Sequence, residues 1–361
     1  MRYPIPQPVI NIYTQLTQAG FEAFIVGGCV RDILLGREPK DWDITTNALP
    51  EQVQAIFPDH IYENSFGTVG VKVERFHPGT NPHHEHDIIE VTTYRTETGY
   101  SDNRRPDHVT FVASLTEDLA RRDFTMNAIA AALDTATTDT LVSLTLTDPF
   151  FGQADLEKKV IRAVGDPGIR FDEDALRMMR AIRFVAELRT PQKKGVDTVW
   201  HIDPETLVAL KERASRLNRI SMERIRDEFS RIILSSNPAY GIELLRTTGL
   251  LKYIVPELEE GIGVGQNLHH IYTVWEHNLK ALETCPSKKL HVRLAALLHD
   301  VGKPRTKVGN GLHSTFYNHD HVGARMTRII LARLKFPREV IDRATLLVDN
   351  HLFYYNVGEV T

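Results

Sequence analysis

Asp41 and Asp43 stand two apart in the run Pro39-Lys40-Asp41-Trp42-Asp43-Ile44-Thr45-Thr46. On an extended strand the side chains at i and i+2 leave the same face, so both carboxylates point together and Trp42 points away. Carboxylates held side by side repel unless a cation lies between them, and Mg²⁺ takes one or two carboxylates together with phosphate oxygens. Upstream lies Phe24-Ile25-Val26-Gly27-Gly28-Cys29-Val30-Arg31-Asp32, which reads as a buried strand, a glycine turn and a short helix. Gly27 and Gly28 let backbone amides approach a phosphate closely, and Arg31 can meet the same anion. The combination predicts a site for a nucleoside triphosphate and a pair of Mg²⁺ ions. Cys29 has no neighbour that would activate it and reads as a packing residue.

Positioning these groups requires a mixed β-sheet with helices. Phe21 to Val26 and Asp41 to Thr45 read as strands, Val30 to Leu35 and Pro50 to Phe57 as helices, the latter with proline at its first position. Thr68 to Phe76 and Asp87 to Arg95 alternate apolar and polar residues as half-buried strands. The histidine-rich stretch from His77 to His86 is punctuated by proline and glycine and reads as a solvated hairpin loop. Ser114 to Leu133 reads as one amphipathic helix, with Ser114 and Glu117 spaced as a capping box. Beyond Asp148-Pro149-Phe150 the periodicity is helical, over Phe171 to Leu188, Ile220 to Leu234, Tyr240 to Thr247, Ile271 to Leu282 and Val292 to His299. Boundaries near 150 and 262 divide the chain into a head over 1–150, a helical neck and body over 151–261, and a helical domain over 262–361. The fold class is α+β, a small mixed or antiparallel sheet followed by all-helical parts.

Composition supports a globular chain of two or three domains: 361 residues, 42% hydrophobic and 25% charged. No apolar run approaches the roughly 20 residues that span a bilayer, and the N-terminus has no secretory core. Two cysteines make neither a disulfide framework nor a zinc pattern, which points to the cytoplasm. A net charge of −4 does not advertise nucleic-acid binding, but acidic metal ligands can mask a basic face. Lys211 to Arg231 holds seven Lys or Arg against four Asp or Glu, a solvated helix surface or a phosphate-contacting one.

Two further clusters carry chemistry. In Arg121-Arg122-Asp123-Phe124-Thr125-Met126-Asn127, the charged residues read as a surface ion pair or as a grip on a ribose 2′-hydroxyl, which both donates and accepts; Asn127 reads as a structural hydrogen-bonder. In Phe171-Asp172-Glu173-Asp174-Ala175-Leu176-Arg177-Met178-Met179-Arg180-Ala181-Ile182-Arg183, Asp174, Arg177, Arg180 and Arg183 recur every three residues along one helix face. That is either a salt-bridge ladder or a reader of base edges, with Asp174 accepting from an exocyclic amine and Arg177 donating to ring acceptors.

The pattern Gly27-Gly28-x-Val30-Arg31-Asp32-x-Leu34-Leu35-Gly36, then Pro39-x-Asp41-x-Asp43-x-x-Thr46, resembles the class II CCA-adding enzyme and bacterial poly(A) polymerase family. The resemblance implies transfer of CMP and AMP from CTP and ATP to the 3′ end of tRNA by a two-metal mechanism, without a nucleic-acid template. It places Arg122 and Asp123 against the ribose. It also gives Glu173-Asp174-x-x-Arg177 the selection of cytosine and adenine, and sets Arg180 and Arg183 toward the triphosphate. Glu90 is the candidate third carboxylate, and Arg216, Arg219, Arg224 and Arg226 are candidates for the tRNA surface. Poly(A) polymerase and CC-only or A-only enzymes share these motifs.

Leu298-His299-Asp300-Val301-Gly302-Lys303, with His277, His319 and His351, resembles the HD phosphohydrolase superfamily and implies a divalent transition-metal site. After His351 the chain runs only to Thr361, short of the closing helix and last acidic ligand that this resemblance implies, so the domain reads as truncated. An HD phosphohydrolase with a nucleotide-binding head is the reading from a different class. Oligomeric state has no signature in the sequence.

Overall fold

A computed structural model describes residues 1–63, 67–76, 86–98, 108–134, 141–189, 199–266 and 271–352. The stretch from His77 lies outside the described residues up to 85. Backbone contacts divide the chain into two units, Met1–Glu173 and Asp174–Thr361.

The first unit is built on one mixed sheet. Its strands, in chain order, are β1 (Arg2–Pro4), β2 (Ala23–Val26), β3 (Asp43–Thr46), β4 (His60–Glu63), β5 (Thr68–Glu74) and β6 (His86–Thr93). They are followed by β7 (Arg95–Thr98), β8 (His108–Phe111), β9 (Ala130–Asp134) and β10 (Leu141–Thr147). Eight strands pair in the order β1-β10-β9-β2-β3-β6-β5-β4, while β7 and β8 form a separate hairpin. The single parallel junction among the described ladders joins β3 to β6, with Asp43 opposite Glu90 and Ile44 opposite Val91. Alternation puts Ile44, Ile89 and Val91 in the core at 0% exposure, and each such aliphatic side chain contributes roughly 1.5–3 kcal/mol on burial.

Three expectations from the sequence are corrected. Ser114 to Leu133 is not one helix: a helix covers Leu115–Ala120, a 3₁₀ turn Thr125–Asn127, and β9 follows. Ser114 makes no side-chain capping bond. The alanine-rich run pairs with β2 through Ile25 and Val26 and with β10 through Ser143 to Thr147. A central strand buried on both faces carries no amphipathic period, and pairing overrides the helix preference of alanine. The carboxylate strand begins at Asp43 rather than Asp41. Its antiparallel neighbour β2 ends at Val26, and the chain turns away at Gly27, φ 78°. Asp41 therefore precedes the ladder, in a bend anchored by buried Trp42.

Phe171 to Leu188 is two helices, Pro167–Glu173 and Leu176–Leu188. The Asp174 carboxylate accepts from the Leu176 amide at 3.0 Å, as a helix-start residue does, so the second helix begins anew there. The second unit is mainly helical, its helices including Pro204–Arg213, Met222–Leu234, Pro238–Thr247, Val274–Thr284, Leu290–Leu298, His319–Arg333 and Arg338–Asp349.

The first unit continues past 150. Asp148 accepts from the Gly152 amide at 2.7 Å, and Asp155 accepts from the Thr125 hydroxyl at 2.7 Å, docking helix Gly152–Lys158 on the 3₁₀ turn. A methyl group at Gly152 would stand 2.2 Å from the Thr125 carbonyl oxygen. Gly152→Ala is expected to cost about 1–3 kcal/mol through this overpacking, read as a lowered midpoint in urea unfolding; an unchanged midpoint would contradict the close approach.

Candidate functional site

The parallel pairing of β3 with β6 sets Glu90 beside Asp43 on one face of the sheet. Asp43 is half-buried, whereas Asp41 and Glu90 are exposed. Burial pushes the Asp43 carboxyl up to about 6; Glu90 raises it further, Asp41 adds to this, and Arg122 opposes both. This is an oxygen donor set with too much negative charge for its surroundings, the chemistry that a hard divalent cation relieves. Among the described residues, Asp41, Asp43 and Glu90 do not bring three ligand oxygens within 4.8 Å of one another, so the acidic face is open.

The glycine turn lies beside it. Gly27 has a positive φ, and a Cβ there would be 2.8 Å from Arg122 Nη1; only glycine leaves room for that guanidinium. Arg31 donates from Nη1 to Asn127 Oδ1 at 2.9 Å and from Nε and Nη2 to Asp32. Asn127 in turn donates to Asp123 Oδ1 at 3.0 Å, which also accepts from the Phe124 amide at 2.8 Å. Asn127 is thus the structural connector expected of it, tying Arg31 to Asp123. Cys29 is buried, with its thiol pushed up to about 12 chiefly by burial, as befits a packing residue. Sequence reasoning missed Asp118, a fully buried carboxylate that meets both Arg121 and Arg122. The available signal was its spacing of three and four residues before the arginine pair.

In the second unit, Asp174 is gripped by Arg224, with Nη2 to Oδ2 at 2.6 Å and Nη1 to Oδ1 at 3.2 Å. Arg224, expected on an RNA-contacting surface, is thereby engaged with Asp174. Arg177 and Arg180 are half-buried on the first turns of helix Leu176–Leu188. Arg183 departs from its expected place on that face. It is 5% exposed and donates to Glu228 and Glu187, each at 2.7 Å, because its side chain points into the packing with helix Met222–Leu234. Two carboxylates satisfy it as a core ion pair. Arg226 donates to the Lys335 carbonyl at 2.7 Å, and Arg219 is exposed.

The C-terminal histidines converge on Asp300, which is 1% exposed. Its Oδ2 lies 3.5 Å from His277 Nε2 and 3.3 Å from His299 Nε2; its Oδ1 lies 3.4 Å from His319 Nε2 and 3.5 Å from His351 Nε2. The Nδ1 atoms of His299, His319 and His351 face the carbonyls of Ala296, Phe316 and Val348 at 2.9, 2.7 and 2.6 Å. Donation from Nδ1 fixes the tautomer that leaves Nε2 as a lone pair. Among the described residues, His319 Nε2 and His351 Nε2 are buried with no hydrogen-bond partner, and lone pairs so placed fit ligation of a metal ion. Two ligand groups, His277-His299-Asp300 and Asp300-His319-His351, share the aspartate. Burial would raise the Asp300 carboxyl, but the close approach of the His299, His319 and His351 imidazoles holds it well below the usual carboxylate range. Lys303 Nζ also donates to Asp300 Oδ2 at 2.7 Å.

The raised Asp43 carboxyl makes a stability prediction. Folding favours its protonated form, so its contribution is fully present below the ordinary value of 3.8 and is lost as pH rises through about 6. In metal-free buffer at about pH 7.5, Asp43→Asn is expected to be more stable than the parent by about 1–3 kcal/mol. The gain should vanish toward about pH 4. Denaturation midpoints across this range are the check, and a parent as stable as the variant at the upper end would contradict it.

Comparison with known proteins identifies the family. Residues 23–162 match the Poly A polymerase head domain, 200–262 match the segment described as "Probable RNA and SrmB- binding site of polymerase A", and 244–358 match the HD domain. The CCA-adding enzyme of Limosilactobacillus reuteri is 44% identical over 255 residues, 70% of this chain and 55% of that protein. That of Geobacillus thermodenitrificans is 44% identical over 256 residues, 71% of this chain and 56% of that protein. The chain thus spans little more than half the length of these curated relatives. The crystal structure of Bacillus stearothermophilus CCA-adding enzyme in complex with CTP is 33% identical, with a TM-score of 0.63, covering 95% of this chain and 70% of that one. This chain belongs to the class II CCA-adding enzyme and bacterial poly(A) polymerase family, with a C-terminal HD-type domain.

Proposed function

We propose that the protein is a tRNA CCA nucleotidyltransferase, adding CMP and AMP from CTP and ATP to a tRNA 3′ end without a nucleic-acid template. The observation that carries this reading is the over-charged Asp43, held between Glu90 and Arg122 beside the Gly27 turn, in a chain 44% identical to CCA-adding enzymes. Asp41 and Asp43 would hold the metal ions, and Mg²⁺ fits the all-oxygen set. Ions held by Asp41 and Asp43 would supply Lewis acidity toward the tRNA 3′-hydroxyl and charge compensation for the departing pyrophosphate.

The protein's own groups do the rest. Gly27, Gly28 and Arg31 orient the phosphates through backbone amides and a guanidinium. Arg122 and Asp123 grip the ribose, donating to and accepting from its 2′-hydroxyl. Asp174 and Arg177 select the base, since an acceptor–donor pair covered by the nucleotide and left unsatisfied by uracil or guanine rejects them. Arg180 is assigned to the triphosphate; Arg183, neutralised by two carboxylates, is withdrawn from that role. A tRNA substrate is consistent with a cytoplasmic enzyme; separately, among the described residues no helix is long and apolar enough to cross a membrane.

A second reading is favoured for the C-terminal part by the histidine cluster around Asp300: a divalent transition-metal site with phosphoesterase chemistry. Imidazole nitrogens suit Mn²⁺, Ni²⁺ or Zn²⁺ better than Mg²⁺.

The functional test incubates the protein with Mg²⁺, single nucleotides and three RNAs: tRNA lacking its 3′ end, tRNA ending in C-C, and a generic RNA. Ordered addition of two C and one A supports the proposal. Long A tails would favour poly(A) polymerase, and addition stopping after C-C or confined to A a partial enzyme. Asp41→Ala and Asp43→Ala are each expected to abolish transfer with the fold retained; a variant that incorporates CMP at the parental rate would end the mechanism. For the second site, Mn²⁺ binding measured by calorimetry should weaken as pH falls below about 6.5, because ligating imidazoles must be neutral. Affinity independent of pH there would exclude the histidine set.

A further inference from the structure

We propose that Asp118 is a positioning residue of the nucleotide site: its buried carboxylate fixes the Arg122 guanidinium over the glycine turn and against the acidic strand before a nucleotide arrives. The inference rests on the nucleotidyltransferase reading and adds a residue to it.

Asp118 lies on helix Leu115–Ala120 and is 0% exposed. A carboxylate so placed is tolerated only with its oxygens satisfied. Oδ1 accepts from Arg121 Nε at 3.0 Å and from the Arg95 amide at 3.4 Å. Oδ2 accepts from the Thr45 hydroxyl at 3.2 Å and lies 3.5 Å from Arg122 Nη2. Thr45 is two residues beyond Asp43 on the same strand. One side chain therefore joins the acidic strand to both arginines.

Arg122 differs from a structural arginine of this chain such as Arg183. Arg183 uses Nε and Nη1 on two carboxylates at 2.7 Å each. Arg122 is held through the long contact to Asp118, and its Nε is buried with no hydrogen-bond partner. Its Nη1 occupies the space that a side chain at Gly27 would take, and its charge is felt by Asp43. A guanidinium tethered at one corner, with Nη1 against a glycine turn and Nε buried and unbonded, is a preorganised donor set for an anionic or hydroxyl-bearing ligand. The tether removes rotamer freedom that the ligand would otherwise have to restrict.

The test measures Mg²⁺–CTP binding and CMP addition to tRNA lacking its 3′ end, with CTP and dCTP as alternative substrates. Asp118→Asn keeps shape and removes charge. It is expected to raise KM for CTP about tenfold, with a much smaller change in kcat and a narrowed preference for CTP over dCTP. The double variant with Arg122→Lys should show less than the sum of the two single effects, since both act through one guanidinium. Thr45→Val, which removes a hydroxyl shared between Asp118 and the Thr92 carbonyl and no charge, should move KM in the same direction by a smaller factor. It carries the test if circular dichroism shows Asp118→Asn unfolded. Folded variants with parental KM and parental CTP preference, or strictly additive effects, would overturn the proposal. A parent protein that does not bind Mg²⁺–CTP would instead overturn the nucleotidyltransferase reading itself.

Discussion

The structure of the first unit turns on a repulsion. Parallel pairing of two strands forces Glu90 against Asp43, and the half-buried position denies Asp43 the water that would screen the two charges. Such an arrangement costs stability and persists only where the fold over-determines it. Here the determinants are the apolar residues on the opposite face, Ile44, Ile89 and Val91, which fix the register of both strands at 0% exposure. A one-residue slip would bury the carboxylates and expose the core, so the register that satisfies packing also enforces the crowding.

The same logic recurs in the second unit with different chemistry. Asp300 is buried among imidazoles whose Nδ1 atoms are turned toward backbone carbonyls, leaving the other ring nitrogens to crowd one carboxylate. Close helix packing brings them there: a Cβ at Gly302 would lie 2.3 Å from the His319 carbonyl oxygen and 2.6 Å from the Gly323 amide. The two glycines let helix His319–Arg333 ride directly over the turn that carries Asp300. Carboxylate oxygens on an open sheet face and imidazole nitrogens around a buried aspartate are donor sets that suit different cations.

What the sequence made legible follows from how local each signal was. Asp41-x-Asp43, the glycine pair and His299-Asp300 declare themselves within a few residues, and the structure brings Arg122, lying against Gly27, within electrostatic reach of Asp43 and gathers His277, His319 and His351 around Asp300. Ala128 to Leu133 was misread because a doubly buried strand and a buried helix share an apolar composition, and the deciding partners, Ile25 and Ser143 onward, are distant in sequence. Arg183 looked like its neighbours Arg177 and Arg180 at the same spacing; only the packing of helix Met222–Leu234 supplies Glu228 and takes it inward. The break at Asp174 was invisible to periodicity because the residue that ends one helix caps the next. Asp118 carried a readable spacing, but its full burial depends on β3 and the hairpin strand beginning at Arg95.

Burial and crowding hold the Asp43 carboxyl in a state that a divalent cation would relieve. The most direct measurement is its site-specific titration by carbon-detected NMR on protein with labelled aspartate, with and without Mg²⁺. The account predicts a midpoint near 6 in the metal-free protein and a fall toward or below the ordinary carboxylate range when Mg²⁺ is added. A metal-free midpoint at the ordinary aspartate value of about 3.9, unmoved by Mg²⁺, would contradict it.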